Sequence, residues 1–182
     1  MNKITDKRKI KVTLVMTVSA DGVTARSRDE FVDWSSSADK KLFAKISKDA
    51  GAVIMGKNTF DTFEGLLPDR LNIVMCQNPR GSFKENLMFF SGSPESLLDE
   101  LEAKGYTEAV LAGGSYTNFK FYEENLIDEL ILTISPVMFG KGLSVFNSAV
   151  NAELKLKDLR KIDEDTVMLN YYFKKKVSNG TE

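Results

Sequence analysis

The sequence predicts an α/β fold in which a mostly parallel sheet is covered by helices on both faces. Two observations lead to this prediction. Apolar runs rich in β-branched residues alternate with stretches whose apolar residues recur at helical spacing, which is typical of strand–helix–strand units with buried parallel strands. After Gly142 the alternation stops, and two strand-like runs follow one another across a short acidic turn. We therefore expect the sheet to end in an antiparallel edge.

Turn and capping residues delimit the elements of the first half. The first strand runs into Asp21-Gly22, a dipeptide typical of turns, and Ser36 is a preferred N-cap for the helix that follows. A short apolar run then stops at Gly56, and the next begins after Pro68-Asp69-Arg70. The predicted strands are 10–18, 52–55, 71–76 and 86–90, and the predicted helices are 37–49 and 57–63.

The second half repeats this pattern as far as Gly142. Its clearest helix starts at Ser93, a preferred N-cap, with Pro94 suited to the first helical position and Gly105 suited to the end. This helix is predicted at 94–104. The remaining predicted elements are a helix at 115–124 and strands at 108–112, 127–138, 154–157 and 167–173. The last two strands are joined through 163–165.

Composition excludes several classes of catalytic site. The 182 residues include no histidine and a single cysteine, Cys76. Ser-His-Asp and Cys-His catalysis, histidine-ligated metals and an intrachain disulfide are therefore excluded, and we expect no metal site. Carboxylate, lysine, arginine and tyrosine side chains and a bound organic cofactor remain available for chemistry.

Length and charge predict one domain without nucleic-acid or membrane partners. A chain of 182 residues, 42% of them hydrophobic, can bury one substantial core, so we assign residues 1–182 to a single domain with a core at about 10–175. The formal net charge of −1 provides no general attraction for nucleic acid or anionic membranes, and no apolar run approaches membrane-spanning length. The lone cysteine is compatible with the cytoplasm, which is the expected compartment.

Two glycine-containing turns between strand and helix predict a nucleotide site. Gly56 follows the apolar run 52–55, and Gly113-Gly114 precedes the predicted helix 115–124. A helix N-terminus after a strand presents unpaired N–H groups, and glycine lets a phosphate approach the backbone. One such turn is commonly no more than a turn, but two of them can hold the two ends of one dinucleotide.

The residues around the first turn resemble a known family. Residues 55–60, MGKNTF, and 67–74, LPDRLNIV, match without a gap that family's M-G-R-x-T and L-P-x-R-x-N-I-hydrophobic pattern. The chain thus resembles the dihydrofolate reductases, within the wider group that includes the reductase domain of riboflavin biosynthesis. The resemblance covers roughly residues 10–175 and implies a dihydrofolate reductase-like three-layer fold with a mostly parallel mixed sheet, helices on both faces and an antiparallel C-terminal edge.

The resemblance implies NADPH as the cofactor. Lys57 stands where the family usually has an arginine that meets the 2′-phosphate, and Ala112 replaces the usual first glycine before Gly113-Gly114. The implied cofactor-binding residues are Thr17, Thr24, Gly56, Lys57, Asn58, Thr59, Met75, Cys76, Gln77, Leu111, Ala112, Gly113, Gly114, Ser115 and Tyr116.

The resemblance also implies an acid and its neighbours. Trp34, Asp39 and Phe43 repeat the family's spacing of tryptophan, acid and ring-packing phenylalanine, so that Asp39 binds the amidine-like edge of a pterin and assists protonation at N5. Thr133 matches the threonine that hydrogen-bonds the acid, and Arg70 matches the arginine that pairs with the glutamate carboxylate of the substrate. The implied catalytic residues are Asp39, Thr133 and Trp34, and the implied substrate-binding residues are Phe43, Arg70 and Asp39.

Each of these residues also has a purely structural interpretation. Asp39 can be a first-turn residue in a helix capped by Ser36. Trp34 and Phe43 are more often core residues than ligand contacts, and Arg70 beside Asp69 can be a turn residue.

Three functions remain open at this point. Asp39 and Arg70 favour the NADPH-dependent reduction of 7,8-dihydrofolate to tetrahydrofolate. The alternative, favoured by residues 19–22 and 126–142, is a riboflavin-pathway reductase acting on a diamino-ribosylamino-pyrimidinone phosphate. A non-catalytic NADP-binding protein is the third possibility, which the presence of both Asp39 and Thr133 disfavours. In each case the partner is a small molecule, and the sequence leaves monomer and homodimer equally open.

Overall fold

The structure is a computed structural model that describes residues 10–28, 30, 32–63, 65–79 and 84–174. Residues 1–9 and 175–182, at the ends of the expected domain, lie outside the described residues. The strands are β1 (Lys11–Ser19), β2 (Ala52–Gly56), β3 (Leu71–Met75), β4 (Leu87–Phe90), β5 (Glu108–Leu111), β6 (Glu129–Ser135), β7 (Leu154–Lys161) and β8 (Val167–Phe173). The helices are α1 (Ser37–Ala50), α2 (Lys57–Asp61), α3 (Pro94–Ala103) and α4 (Ser115–Glu123).

The strands form one sheet in the order β4-β3-β2-β5-β1-β6-β8-β7. The strands from β4 to β6 in this order are parallel, β8 is antiparallel to β6, and β7 is antiparallel to β8. The register sets Thr17 beside Thr133 and Val53 beside Val110, so residues distant in the sequence meet at one edge of the sheet. The predicted mixed sheet with an antiparallel edge is confirmed.

Helices cover both faces of the sheet, because alternate side chains of each buried strand point to opposite faces. On one face, Phe43 and Ile46 of α1 pack against strand residues such as Val53 and Ile131. On the other, the α3 leucines and Phe121 of α4 pack against the remaining strand side chains. The three-layer arrangement predicted from the sequence is confirmed.

Several element boundaries differ from the prediction, and hydrogen bonds explain the largest difference. Strand β6 begins after Asp128, whose carboxylate accepts the N–H of Val12 at 2.8 Å, and it ends where the Val137 N–H turns back to the Ser135 carbonyl at 2.8 Å. Strand β7 extends to Lys161 rather than 157. All its residues are exposed, so the alternation of buried and exposed positions used for prediction is absent there.

The two strand-to-helix turns are packed directly against each other. The Gly56 N–H donates to the Gly113 carbonyl at 2.8 Å. A Cβ atom on Gly56 would lie 2.5 Å from Oγ1 of Thr117, and one on Gly114 would lie 3.1 Å from Oγ1 of Thr59. Each helix thus places a threonine against the glycine of the other turn. Glycine at position 56 is required by this contact between turns, an explanation that the sequence did not suggest.

Gly56→Ala is expected to lower the free energy of unfolding by about 1–3 kcal/mol, the usual cost of overpacking a tight contact. Gly65→Ala is the matched control, because nothing lies within 4 Å of a Cβ atom built there. Urea denaturation followed by circular dichroism measures both variants.

In a Thr117→Ala background the same Gly56→Ala substitution is expected to cost less, since Oγ1 is gone. An equal cost in both backgrounds, or no more than that of Gly65→Ala, would show that the contact with Thr117 does not dictate the glycine.

Candidate active site

A cleft of about 770 Å³ opens at the carboxyl ends of the central parallel strands. Ligands of open α/β sheets bind at this edge, where helix N-termini also gather. Two of its walls are the paired turns of β2–α2 and β5–α4, and the others are loop segments. The lining residues are drawn from 24–32, 56–62, 112–117 and 142–147, together with Met16 and Met75.

Most of the residues implied in cofactor binding line this cleft. They are Thr24, Gly56, Lys57, Asn58, Thr59, Met75, Ala112, Gly113, Gly114, Ser115 and Tyr116. These residues therefore lie together in the structure, and their contact with a cofactor stays a prediction.

Four of the implied cofactor residues lie elsewhere. Leu111 is fully buried in the core, because strand alternation turns its side chain inward. The Cys76 N–H donates to the Phe90 carbonyl at 2.9 Å, and the exposed Gln77 accepts a hydrogen bond from Ser91 through its carbonyl oxygen. Thr17 takes part in a different arrangement, around Asp39.

The segment 142–147 is part of the cleft that the sequence did not reveal. It is held there by two hydrogen bonds, from the Thr24 N–H to the Leu143 carbonyl at 2.8 Å and from the Leu143 N–H to the Ala25 carbonyl at 2.7 Å. A Cβ atom on Gly142 would lie 2.4 Å from the Ala25 carbonyl oxygen, so glycine is needed for this approach. Gly142 was the one sequence signal available for this segment, and it did not indicate that the segment packs against Ala25.

Charged side chains in the cleft are partly neutralised by neighbours. Lys57 forms an i,i+4 ion pair with Asp61, and both are about half exposed. Glu30 accepts hydrogen bonds from the side chain and backbone N–H of Arg26, and the side-chain bond lowers the pKa of Glu30. Arg28 also lines the cleft. A phosphate entering the cleft would therefore compete with Asp61 for Lys57, and Arg28 is the second cation of the lining.

Asp39 lies at one end of a chain of hydroxyl groups that is linked through Thr133 to Met16, a residue of the cleft lining. It is 8% exposed, and its Oδ1 accepts a hydrogen bond of 2.5 Å from Oγ1 of Thr133. Oγ1 of Thr133 lies 2.6 Å from Oγ1 of Thr17, and because the Thr133 proton goes to Asp39, Thr17 is the donor in that second bond. Oγ1 of Thr133 is also 3.4 Å from the carbonyl oxygen of Met16, a residue that lines the cleft.

This arrangement fixes the position of Oδ1 of Asp39 through the hydrogen bond from Thr133. Among the described residues no hydrogen bond is formed by Oδ2 of Asp39. A carboxyl group held through one oxygen can use the other to accept a hydrogen bond from a substrate N–H when it is ionised, or to donate its proton when it is protonated. The structure thus brings Asp39 and Thr133 together as predicted and adds Thr17 to them.

The turn between β7 and β8 positions the start of the helix that carries Asp39. Oγ of Ser36 caps α1 by accepting the Asp39 N–H at 3.2 Å, as the capping interpretation predicted. The same side chain hydrogen-bonds the Asp163 carboxylate, which also accepts the N–H groups of Asp165 and Thr166. The bond from Ser36 is the main cause that lowers the pKa of Asp163 to about 2.

Two aromatic residues, Trp34 from the implied catalytic set and Phe43 from the implied substrate-binding set, lie near Asp39 in the chain and are partly buried. The Trp34 ring contacts Phe139 edge-on at a centroid distance of 5.2 Å, and its Nε1 is buried without a hydrogen-bond partner in the described part of the chain. Phe43 stacks on Phe63 at 6.5 Å. Both residues have the core contacts of the structural interpretation, while their contact with substrate stays a prediction.

Arg70 is buried rather than presented at the surface. Its Nε donates to the Pro68 carbonyl at 2.8 Å, and its Nη1 donates to the Ala44 carbonyl at 3.0 Å and to Oγ of Ser47. Burial lowers the pKa of Arg70. The guanidinium therefore ties the turn after α2 to α1, and a substrate carboxylate would have to use the nitrogen Nη2.

A family model described as the RibD C-terminal domain matches residues 10–168. The chain belongs to the RibD C-terminal domain family. The match contains both paired turns, Asp39, Thr133 and the segment 142–147. The resemblance proposed from residues 55–60 and 67–74 is thereby confirmed at the level of the superfamily that joins these reductases with the dihydrofolate reductases.

Relatives of this RibD C-terminal domain protein include chains of known structure and one of unknown role. Uncharacterized protein YwjB of Bacillus subtilis (strain 168) is 26% identical over 170 residues, covering 88% of this chain and 97% of its own.

Two solved structures share the fold. A Thermotoga maritima diaminohydroxyphosphoribosylaminopyrimidine deaminase/5-amino-6-(5-phosphoribosylamino)uracil reductase superposes with a TM-score of 0.76 at 19% identity, covering 93% of this chain and 58% of that one. Dihydrofolate reductase from Enterococcus faecalis, complexed with NADP(H) and RAB-propyl, superposes with a TM-score of 0.69 at 21% identity, covering 90% of this chain and 96% of that one. At these identities the two structures establish the fold alone. In the described residues, no helix is long and apolar enough to cross a membrane.

Removing the Asp163 carboxylate by Asp163→Asn is expected to destabilise the protein in a pH-dependent way. The folded-state pKa, about 2, lies below the ordinary 3.8, so the stabilisation is complete above about pH 4 and is lost as the pH falls towards 2. The unfolding free energies of wild type and variant, measured by urea titration between pH 7 and pH 2, should therefore converge as the pH falls.

Asp165→Asn in the same turn is the control, because its carboxylate is not the group that bonds Ser36. A difference between wild type and Asp163→Asn that is unchanged from pH 7 to pH 2 would contradict this account of the turn.

Proposed function

We propose that the protein is an NADPH-dependent reductase of a ribosylamino-pyrimidine phosphate, the alternative left open by the sequence. The observation that carries the proposal is the family match over residues 10–168, which includes every segment of the cleft and the Asp39–Thr133 pair. Membership of a family of reductases indicates an oxidoreductase. The Thermotoga relative, whose name includes a phosphoribosylaminouracil reductase, supports this substrate class.

The cleft fits a dinucleotide cofactor. Its 770 Å³ lie within the usual range for ligand pockets, and the hydroxyl and amide groups of Asn58, Thr59 and Ser115 stand beside the glycine turns. Arg28 and Lys57 are the cations available for phosphate groups in its lining. NADPH bound there supplies a hydride, and the protein supplies position and charge.

The residues around Asp39 account for the proton that must accompany a hydride. Thr17 and Thr133 fix Oδ1 of Asp39, so Oδ2 can be held towards a substrate nitrogen or towards a water that delivers the proton. The low exposure of Asp39 limits competition from bulk water.

Dihydrofolate reduction is the second candidate, and the hydrogen-bonded Asp39–Thr133 pair favours it. The Enterococcus dihydrofolate reductase supports this candidate through the fold alone. Arg70 adds less than expected from the sequence, since its Nε and Nη1 already bond to Pro68, Ala44 and Ser47. The ribosylamino-pyrimidine therefore comes first and dihydrofolate second, the reverse of the order favoured by the sequence.

Loss of NADPH absorbance with 5-amino-6-(5-phosphoribosylamino)uracil and with dihydrofolate, in parallel assays, tests the proposal. Turnover of the pyrimidine at a kcat/KM well above that for dihydrofolate is the expected result. The opposite ratio would assign the protein to folate reduction. Tight NADPH binding without turnover of either compound would contradict both assignments and favour the binding protein.

Asp39→Asn is expected to reduce kcat by about 100-fold or more at neutral pH, because the amide cannot supply the proton. NADPH affinity should change little, since Asp39 lies outside the cleft lining. Asp49→Asn is the matched control: it also removes a carboxylate from α1, but an exposed one paired with Lys45. Stopped-flow turnover and NADPH fluorescence separate the two effects, and full activity of Asp39→Asn would exclude Asp39 as the acid.

A further inference from the structure

Asn118, at the end of the first turn of α4, is a fully buried residue that stands behind the lining of the cleft. Its Nδ2 donates a hydrogen bond of 2.8 Å to the Val145 carbonyl and lies 3.5 Å from Sδ of Met16. One side-chain amide of α4 thus contacts two other parts of the cleft wall, the segment 142–147 and strand β1.

Packing of the helix does not account for an amide at this position. Asparagine is a poor helix former, and burying an amide costs free energy unless its hydrogen bonds are made. Oδ1 of Asn118 is buried and has no hydrogen-bond partner within the described part of the chain. Phe121, one turn further along α4, fills its buried position with an apolar side chain. The amide at position 118 is therefore explained by the contacts of Nδ2 rather than by the core.

The bond from Asn118 holds the middle of the segment. One end of the segment is anchored by the pairing of Leu143 with Ala25. The other end is held by a longer bond of 3.3 Å, from the Asn147 N–H to the first residue of α4. Between these two points, the bond to Val145 sets the distance between the segment and the helix.

We propose that Asn118 is a positioning residue for the cofactor and acts through the segment 142–147. The tie to α4 fixes Ser144 and Asn147, which line the cleft, relative to Ser115 at the start of the helix. A wall that is already in place lowers the entropic cost of binding a ligand. The inference rests on the proposed function in one respect, that NADPH is the ligand of the cleft.

The candidate acid lies on the other face of the sheet. Met16 packs with the core on the α4 face, whereas the next residue, Thr17, contacts Thr133, which bonds Asp39 of α1. Loss of the bond from Asn118 should therefore change the binding of the cofactor more than the chemistry at the acid.

Asn118→Leu removes the amide and nearly preserves the volume of the side chain. Fluorescence titration is expected to give an NADPH dissociation constant about 10-fold higher, which corresponds to the net loss of one hydrogen bond. The KM for NADPH should rise with it, while kcat at saturating NADPH should change by less than about two-fold. A residue that only stabilises the fold would not separate affinity from turnover in this way.

Asn72→Leu is the matched control. Asn72 is also a buried asparagine, and its Nδ2 donates to the carbonyls of Leu67 and Arg70, outside the cleft lining. Both variants lose a buried amide, so urea denaturation should show reduced stability in each. Only Asn118→Leu should lose affinity for NADPH.

Hydrogen–deuterium exchange in the absence of ligand follows the segment directly. Exchange at 143–147 should be faster in Asn118→Leu than in the wild type and unchanged in Asn72→Leu. Asn118→Ser is the second variant, should leucine distort α4: its hydroxyl fits within the same space but ends one bond short of the Nδ2 position. The serine variant should show the same loss of affinity and the same faster exchange.

Three results would overturn the role of Asn118: an unchanged NADPH dissociation constant in both of its variants, an equal loss of affinity in Asn72→Leu, or exchange at 143–147 as slow as in the wild type. The affinity ratio does not depend on which substrate is reduced. Intact NADPH binding without turnover of the pyrimidine would therefore overturn the proposed function alone, and a wild type that does not bind NADPH would overturn both.

Discussion

The contact between the two glycine turns is the constraint on which the site depends. Parallel pairing of β2 with β5 brings the turns side by side, and the bond from Gly56 to Gly113 joins their backbones. Thr117 and Thr59 then fill the space that a side chain at Gly56 or Gly114 would need. The two turns are thus joined by their own contacts and form one continuous wall of the cleft. Such preorganisation lowers the entropic cost of binding.

The antiparallel edge of the sheet, formed by β7 and β8, helps to position the candidate acid Asp39. Its turn residue Asp163 bonds Ser36, Ser36 caps α1, and the first turn of α1 carries Asp39. The acid is then held from the other side by Thr133 of β6, which pairs with β8. Distortion of the hairpin would therefore reach Asp39 through two routes. The position of the exposed hairpin therefore affects the position of the Asp39 carboxyl group.

Strands, helices and turns with a local periodic pattern could be predicted from the sequence, whereas contacts between distant loops could not. The strands and turns from 52 to 75 followed from strand patterns, and the meeting of Asp39 with Thr133 followed from the family resemblance. The pairing of Leu143 with Ala25, the bulge at Lys157 and the inward turn of Arg70 depend on tertiary contacts that leave no periodic signal. The preference for dihydrofolate was weakened for a related reason: the guanidinium of Arg70 is engaged by Pro68, Ala44 and Ser47, while the alternative substrate class is supported by the family match.

Hydrogen–deuterium exchange with and without saturating NADPH tests the central claim most directly, that the two locked turns and the segment 142–147 form one cofactor cleft. The account predicts slower exchange at 56–59, 113–117 and 142–147 together, with β7 and β8 unchanged. Protection confined to one of the turns, or absent from all three segments at saturation, would contradict it.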